Sequence, residues 1–347
     1  ILMFGWAGAE PGKLLYDWVD RGLGSVKVFG WNTDDINLVA KSITSLQKKS
    51  SSGRFKIPLF VATDQEGGWI RHVKGETAIT PGNMAIGSSG FPADSWYSAY
   101  YISREIKALG INMNFAPTVD LFTNHDSTII GARSFGDDPE KAGILGGAWA
   151  SGSEAAGVIP TVKHFPGHGD TILDSHHALP IVYKTYEELK SFELKPFEAS
   201  IKNGIPMIMT AHILFPKIDN EFPATMSEKI LTGILRKDMG FDGVIVTDSL
   251  EMNAIKDRYG IVNGAVHSIQ AGADMVCLIR SEQYVIDVLE ALCHEISQER
   301  LMESVQRILK VKQKLRNDVH IVSAKDLKRK IKAENEKVKA IRILVEN

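Results

Sequence analysis

Short runs of β-branched and apolar residues recur along the chain, separated by longer stretches whose apolar positions fall at helical spacing. The runs that read as strands are Ile1–Trp6, Ser25–Phe29, Leu59–Thr63, Met113–Ala116, Ile159–Lys163, Met207–Thr210, Val244–Thr247 and Met275–Leu278. Between them Asn37–Lys48, Trp96–Leu109, Pro139–Ala156, Tyr186–Asn203, Ser227–Met239 and Asn263–Ala271 read as helices. Gly110, Gly157, Gly204, Gly240 and Gly272 follow helical stretches, where glycine suits a C-terminal cap. Eight strands alternating with helices predict an α/β fold of the (β/α)8 TIM-type barrel class. A doubly wound open sheet competes with it, but no glycine-rich dinucleotide or phosphate turn follows the first strand.

After Ile279 the chain reads as helical to its end. Leu301, Val305, Ile308, Leu309 and Val311 mark one helix between Glu299 and Leu315. We expect a single catalytic barrel over residues 1–317 with a helical C-terminal extension, a charged tail over 318–347. Ile331, Val338, Ile341 and Leu344 are interleaved there with Lys and Glu, and the mixed signs favour a solvated face over a basic partner-binding helix.

Composition excludes several classes. The 347 residues are 44% hydrophobic and 24% charged with a formal net charge of -2, so no global field draws the chain to nucleic acid or anionic membrane. No apolar run is long enough to span a bilayer. Two cysteines, Cys277 and Cys293, are too few for a disulfide framework, and Cys277 sits in an apolar run as a buried small hydrophobe. No signal peptide is visible, and the chain opens at Ile1 without an initiator Met, so the compartment stays open between cytoplasm and export.

Chemistry concentrates at the carboxyl ends of the strands: Asp64, Asp120, Lys163 with His164, His212 and Asp248. In a barrel these ends converge on one mouth, where the active site lies. The densest segment is Thr161-Val162-Lys163-His164-Phe165-Pro166-Gly167-His168-Gly169-Asp170-Thr171, followed by Asp174-Ser175-His176. Histidine titrates near neutral pH, which suits proton transfer. Gly167 and Gly169 read as a hinge, beyond which Asp174 and His176, two residues apart, can face the same way in an extended segment. Asp174 would then hold one imidazole nitrogen and leave the other free; a local turn beside a surface histidine is the plainer alternative.

Asp248, at the end of the apolar run Gly243–Thr247, fits a nucleophile attacking carbon or a cap for the helix that follows. Asp64-Gln65-Glu66-Gly67-Gly68 and Gly131-Ala132-Arg133-Ser134-Phe135-Gly136 read as grips for a hydroxyl-rich substrate, or as structural ion pairs. His164, His168, His176 and His177 are numerous enough for zinc, yet no HExxH helix or early His-x-His pair accompanies them, and no metal ligands are assigned. The segment also lacks the Gly-Lys-Ser/Thr element of a nucleotide loop.

The combination DQEGG, GARSFG, KHFPGHGDT with DSH, and VTDSLEM resembles the bacterial β-N-acetylglucosaminidases of glycoside hydrolase family 3 (NagZ-type), collinearly from Ile1 to near Lys314. The resemblance implies a retaining mechanism with Asp248 as nucleophile and His176 as acid/base, partnered by Asp174 on a mobile loop. It implies sugar contacts from Lys163 and His164, a distal hydroxyl held by Asp64, and Arg133 beside the sugar. His212 matches a histidine of the mouth and is placed with the substrate-binding residues. The implied partner is a small carbohydrate, an N-acetylglucosamine-containing oligosaccharide or muropeptide of peptidoglycan turnover or a chitin fragment, handled without metal or organic cofactor.

Two departures stand out. Arg71 is placed with the substrate-binding residues, but it precedes His72, where the family's arginine is expected, which leaves open whether Arg71 or His72 meets the sugar. The 347 residues also carry one barrel and not the second α/β domain that many members add. Two other functions remain compatible with the motifs: a phosphorylase, because a histidine repels incoming phosphate less than a glutamate would, and a carbohydrate-binding barrel without catalysis.

Overall fold

A computed structural model describes residues 1–171, 175, 178–279, 281–315 and 336. In chain order its strands are β1 (Leu2–Phe4), β2 (Ser25–Lys27), β3 (Phe60–Thr63), β4 (Gln65–Gly67), β5 (Ile70–Arg71), β6 (Met113–Asn114), β7 (Ile159–Phe165), β8 (Met207–Thr210), β9 (Val244–Ser249) and β10 (Met275–Leu278). β4 and β5 form a small antiparallel hairpin. The other eight close into a parallel barrel in the order β1-β10-β9-β8-β7-β6-β3-β2, which is the (β/α)8 architecture expected.

The strands are continuously apolar because both of their faces are covered. Met3, Phe60, Ala62, Met113, Met207, Val246 and Met275 fill the barrel interior. Their neighbours Phe4, Val61, Ile208, Ile245 and Val276 point outward to the helices, as a period of two requires. The glycines at 110, 157, 204, 240 and 272 all take positive φ, the left-handed conformation of a C-terminal cap.

The helices depart from the sequence reading in informative ways. The stretch Tyr186–Asn203 is two helices, Tyr186–Ser191 and Lys195–Lys202, because Pro196 is tolerated only in a first turn. Ser227–Met239 winds as a π-helix over Lys229–Asp238. Helix Lys13–Arg21 and the β4–β5 hairpin were not legible in the pattern. Cys277 is buried and Cys293 exposed, both as free thiols. The tail expected over 318–347 lies outside the described residues, Glu336 excepted.

Helix Gln298–Lys312 closes the barrel's lower end. Its Ile308 and Val311 pack on the interior residues of the barrel. Lys312 at its last turn is buried, donating to the carbonyls of Gly24 (2.5 Å) and Pro58 (2.6 Å), just before β2 and β3. Its Nζ lies 4.6 Å from the Phe60 ring centroid, and burial lowers its ammonium to about 7. One turn earlier the helix is tied to Asp274, which is fully buried at the foot of β10. Asp274 accepts from Arg236 Nη2 (2.5 Å), Arg307 Nη1 (3.1 Å), Ser304 Oγ (3.1 Å) and the Ile245 amide (2.9 Å).

Removing the buried carboxylate that Arg236, Arg307 and, at 3.8 Å, Arg300 share leaves half-buried cations without their counter-charge. Asp274→Ala is therefore expected to cost about 3–5 kcal/mol, measured as a lower urea midpoint at an unchanged m value. A loss below about 1 kcal/mol would show that the floor helix is held by its apolar face alone.

Candidate active site

The strand ends that carry titratable residues do converge. The mouth holds a pocket of about 370 Å³, whose wall includes Lys27, Asp64, Glu66, Lys163, His164 and Asp248. Lys163 projects inward from β7 and is only 2% exposed. Its Nζ reaches over β6 to Asp64 Oδ1 (2.8 Å) and Glu66 Oε1 (2.7 Å). Lys27, on β2, holds the other Asp64 oxygen at 2.9 Å. Arg133, in the 3-10 turn Gly131–Arg133, grips Glu66 with two parallel bonds, Nε to Oε2 (2.9 Å) and Nη2 to Oε1 (2.8 Å).

These five side chains form one line of alternating sign, Lys27–Asp64–Lys163–Glu66–Arg133. Burial by itself would raise both carboxyls. The adjoining Lys163 and Lys27 outweigh it and hold Asp64 well below its ordinary value, and Arg133 with Lys163 bring Glu66 to about 2. Asn114 on β6 fixes this register by bonding both backbone groups of Gln65, accepting from its N–H (3.0 Å) and donating to its carbonyl (2.9 Å).

The segment after Lys163 is built around Asp120. That buried carboxylate accepts from His164 Nδ1 (2.7 Å), the His164 amide (3.1 Å) and the His168 amide (2.7 Å). With its proton on Nδ1, His164 turns Nε2 toward Arg133 Nη2, 3.5 Å away. His168 is 3% exposed, with Nδ1 2.8 Å from Thr171 Oγ1 and Nε2 3.4 Å from Ser175 Oγ. Burial, then the neighbouring His164, lower its imidazole to about 4, so it is neutral at physiological pH. A Cβ on Gly169 would lie 1.5 Å from the Leu121 carbonyl oxygen. That glycine is a close-packing point that ties the segment to its neighbour, where the sequence had suggested a hinge.

Asp248, the penultimate residue of β9, lines the pocket and accepts from the Ser249 amide at 2.7 Å. Burial would raise its carboxyl, but His212, His164 and Lys27 outweigh burial and bring it to about 2. The carboxylate is therefore ionised throughout the neutral range.

Two expected sugar contacts need correction. His212 does not line the pocket. It is 1% exposed, with Nδ1 2.8 Å from Thr225 Oγ1 and Nε2 2.9 Å from the Ser249 carbonyl, so it braces the backbone behind Asp248. Arg71 is also outside the wall, its Nη1 donating to the carbonyls of Thr77 (3.2 Å) and Ala78 (3.1 Å). Alternation along the extended chain puts Ile70 and His72 on the pocket side and Arg71 on the other. His72 lies 3.6 Å from Asp64 Oδ2; burial lowers its imidazole, with Asp64 opposing.

Asp174 and His176 lie outside the described residues. Ser175 lines the pocket, and its carbonyl accepts from the Ala254 amide at 3.2 Å. The residue that the sequence reading missed is Lys27, whose only signal was a charged side chain at an inward position of a strand; Glu66 figured only within the Asp64–Gly68 grip and His72 only as the alternative to Arg71.

Residues 15–311 match the glycosyl hydrolase family 3 N-terminal domain. The chain is 38% identical over 320 residues to β-hexosaminidase A of Pseudoalteromonas piscicida, covering 84% of this chain but 54% of that protein. Among solved structures it is similar to a family 3 β-N-acetylglucosaminidase from Paenibacillus sp. str. FPU-7, with TM-score 0.90 and 38% identity over 98% of this chain and 66% of that one. It is also similar to NagZ from Neisseria gonorrhoeae in complex with N-trifluoroacetyl-D-glucosamine, with TM-score 0.83 and 26% identity over 98% and 97% of the two chains. The chain thus spans about half the length of the first of these relatives and two thirds of the second.

Glu66 gives the clearest pH signature of the site. Its folded value of about 2 lies below the ordinary 4.5, so its stabilising contribution is complete above the ordinary value and is lost as pH falls toward the folded one. Urea titrations across that window should show stability falling steeply in the native protein and more shallowly in Glu66→Gln. Parallel curves would mean that Glu66 is not linked to folding.

Proposed function

The chain belongs to glycosyl hydrolase family 3, and from that premise we propose that it is a retaining β-N-acetylglucosaminidase, removing terminal N-acetylglucosamine from the non-reducing end of small oligosaccharides. The observation that carries the reading is the division of the pocket. An ionised carboxylate, Asp248, stands on one strand, while a fixed array of donors and acceptors, Lys163, Asp64, Arg133 and His164, stands on others. A pyranose presents hydroxyls that such an array can hold while its anomeric carbon faces the carboxylate.

In this reading an Asp248 oxygen attacks the anomeric carbon as the glycosidic carbon–oxygen bond breaks. The departing oxygen takes a proton from His176, and a covalent glycosyl ester forms. His176 then removes a proton from water, whose oxygen displaces Asp248 and restores the starting configuration. Asp174 orients the imidazole. The roles of His176 and Asp174 rest on the family motif. The sugar class rests on the names of the relatives, a β-hexosaminidase and a β-N-acetylglucosaminidase.

Asp248→Asn should reduce turnover of an aryl β-N-acetylglucosaminide by about a thousandfold or more with an unchanged urea midpoint. A slow fluorinated N-acetylglucosaminide should label Asp248 in the native protein, identified by peptide mass mapping. Label on another carboxylate would remove Asp248 from the mechanism. Sugar 1-phosphate as the main product in phosphate buffer would replace hydrolysis by phosphorolysis.

A further inference from the structure

Beside Asp64, just past the β4–β5 hairpin, the pocket wall carries one more titratable group, His72. Its side chain is 29% exposed. Its Nδ1 is buried and has no hydrogen-bond partner among the described residues. That nitrogen faces Asp64 Oδ2 at 3.6 Å, beyond hydrogen-bond reach. The backbone around it is fixed. The His72 amide donates to the Asp64 carbonyl (3.0 Å), and its own carbonyl accepts from Thr33 Oγ1 (2.6 Å). Gln65 holds the next residue, Val73, by both backbone groups, accepting from its N–H (2.9 Å) and donating to its carbonyl (3.0 Å). The imidazole leans on Phe29, with centroids 5.7 Å apart and planes 34° apart.

Burial lowers this imidazole below its ordinary value, with Asp64 opposing and Lys27 and Lys163 adding to burial, so the ring is neutral at neutral pH. A neutral ring has one N–H and one lone pair. A lone pair on Nδ1 would face a carboxylate oxygen, so the proton is assigned to Nδ1 and the lone pair to Nε2. Because Nδ1 is buried, the exposed part of the ring is its opposite edge, where Nε2 lies. Asp64 beside it is an acceptor too. Its oxygens are bonded to Lys163 (2.8 Å) and Lys27 (2.9 Å), and each keeps a lone pair. This corner of the pocket thus presents two acceptors side by side.

Resting on the function proposed above, we infer that His72 Nε2 accepts a hydrogen bond from a hydroxyl of the terminal sugar, on the carbon next to the one whose hydroxyl Asp64 holds. An acceptor needs a partner that brings its own proton, which a hydroxyl does and an ether or ester oxygen does not. Two neighbouring acceptors therefore select a sugar whose two adjacent hydroxyls are both free. A ring substituted at either one, by a further sugar or an acyl group, leaves an acceptor of the pocket wall unpaired and is rejected. His72 in this way sets which sugars the pocket takes.

The test measures kcat/KM for an aryl β-N-acetylglucosaminide and its 3-deoxy, 4-deoxy and 6-deoxy analogues in the native protein, His72→Phe and His72→Gln. Phenylalanine keeps a ring against Phe29 without a lone pair, and glutamine carries an amide oxygen to the depth of Nε2. His72→Phe should lower kcat/KM for the parent about tenfold, and His72→Gln should recover most of that loss. On one deoxy analogue, the one without the hydroxyl that His72 holds, His72→Phe should match the native protein within about twofold. The other two analogues should lose as much as the parent. Trp69, 61% exposed and outside the pocket wall, serves as control on the same hairpin, and Trp69→Ala should change none of the four substrates. An equal loss on all four, or no loss on the parent, would overturn the contact. Native protein that releases sugar from none of them would overturn the function itself, and the contact with it.

Discussion

Five charged side chains in a line, Lys27, Asp64, Lys163, Glu66 and Arg133, are the constraint around which the mouth of this barrel is organised. Each inner member has two partners of opposite sign, which is what makes its desolvation tolerable. Taking an ammonium out of water costs several kcal/mol, and one partner rarely offsets it; Lys163 has two within 2.8 Å. The line also crosses the sheet. β3 and β7 are not neighbours, since β6 lies between them, so the Lys163 side chain bridges two strands that share no backbone bonds. Closing the barrel in this register is the condition for pairing the charges, and pairing them penalises any slip of β7, which would swing Lys163 to the outer face.

The same arrangement separates tasks within the pocket. The line consumes its own charges internally and leaves a stiff wall of directional groups. Among the described residues no cation bonds the Asp248 carboxylate; it is kept ionised at longer range by His212, His164 and Lys27, and its one described hydrogen bond is to the Ser249 amide. A carboxylate held this way is charged yet not neutralised by a close partner, the condition in which it can meet a developing positive centre. His212, braced between Thr225 and Ser249, contributes from behind the wall.

Much of this was legible in the order of residues, and the failures have physical causes. All eight barrel strands were visible because burial on both faces makes each a continuous apolar run. Asp64, Lys163, His164 and Asp248 were visible because strand ends in a barrel share one mouth. The choice between Arg71 and His72 stayed open because the phase of a two-residue alternation depends on the turn at Gly67 and Gly68, which reset it. His212 was misplaced because position at a strand end does not say which way a ring points. Lys27 escaped, and the pairing of Glu66 stayed one of two alternatives, because their partners are remote in sequence: Arg133 is 67 residues from Glu66, and nothing local distinguishes a buried ion pair from a surface charge. The Gly169 contact with Leu121 was hidden for the same reason.

The closed lower end of the barrel has a kinetic meaning. With Ile308 and Val311 seated in the interior and Lys312 bonded across the feet of β2 and β3, the pocket is blind, and whatever enters by the mouth leaves by it. A chain end lodged deepest is covered by the remainder of its own molecule. Departure is then sequential: the outer fragment clears the exit first, and the inner sugar leaves last. Under the function proposed above, the free monosaccharide would be the last product to go and would occupy the form that the next substrate needs, so a closed floor would make the released sugar a competitor of its own source.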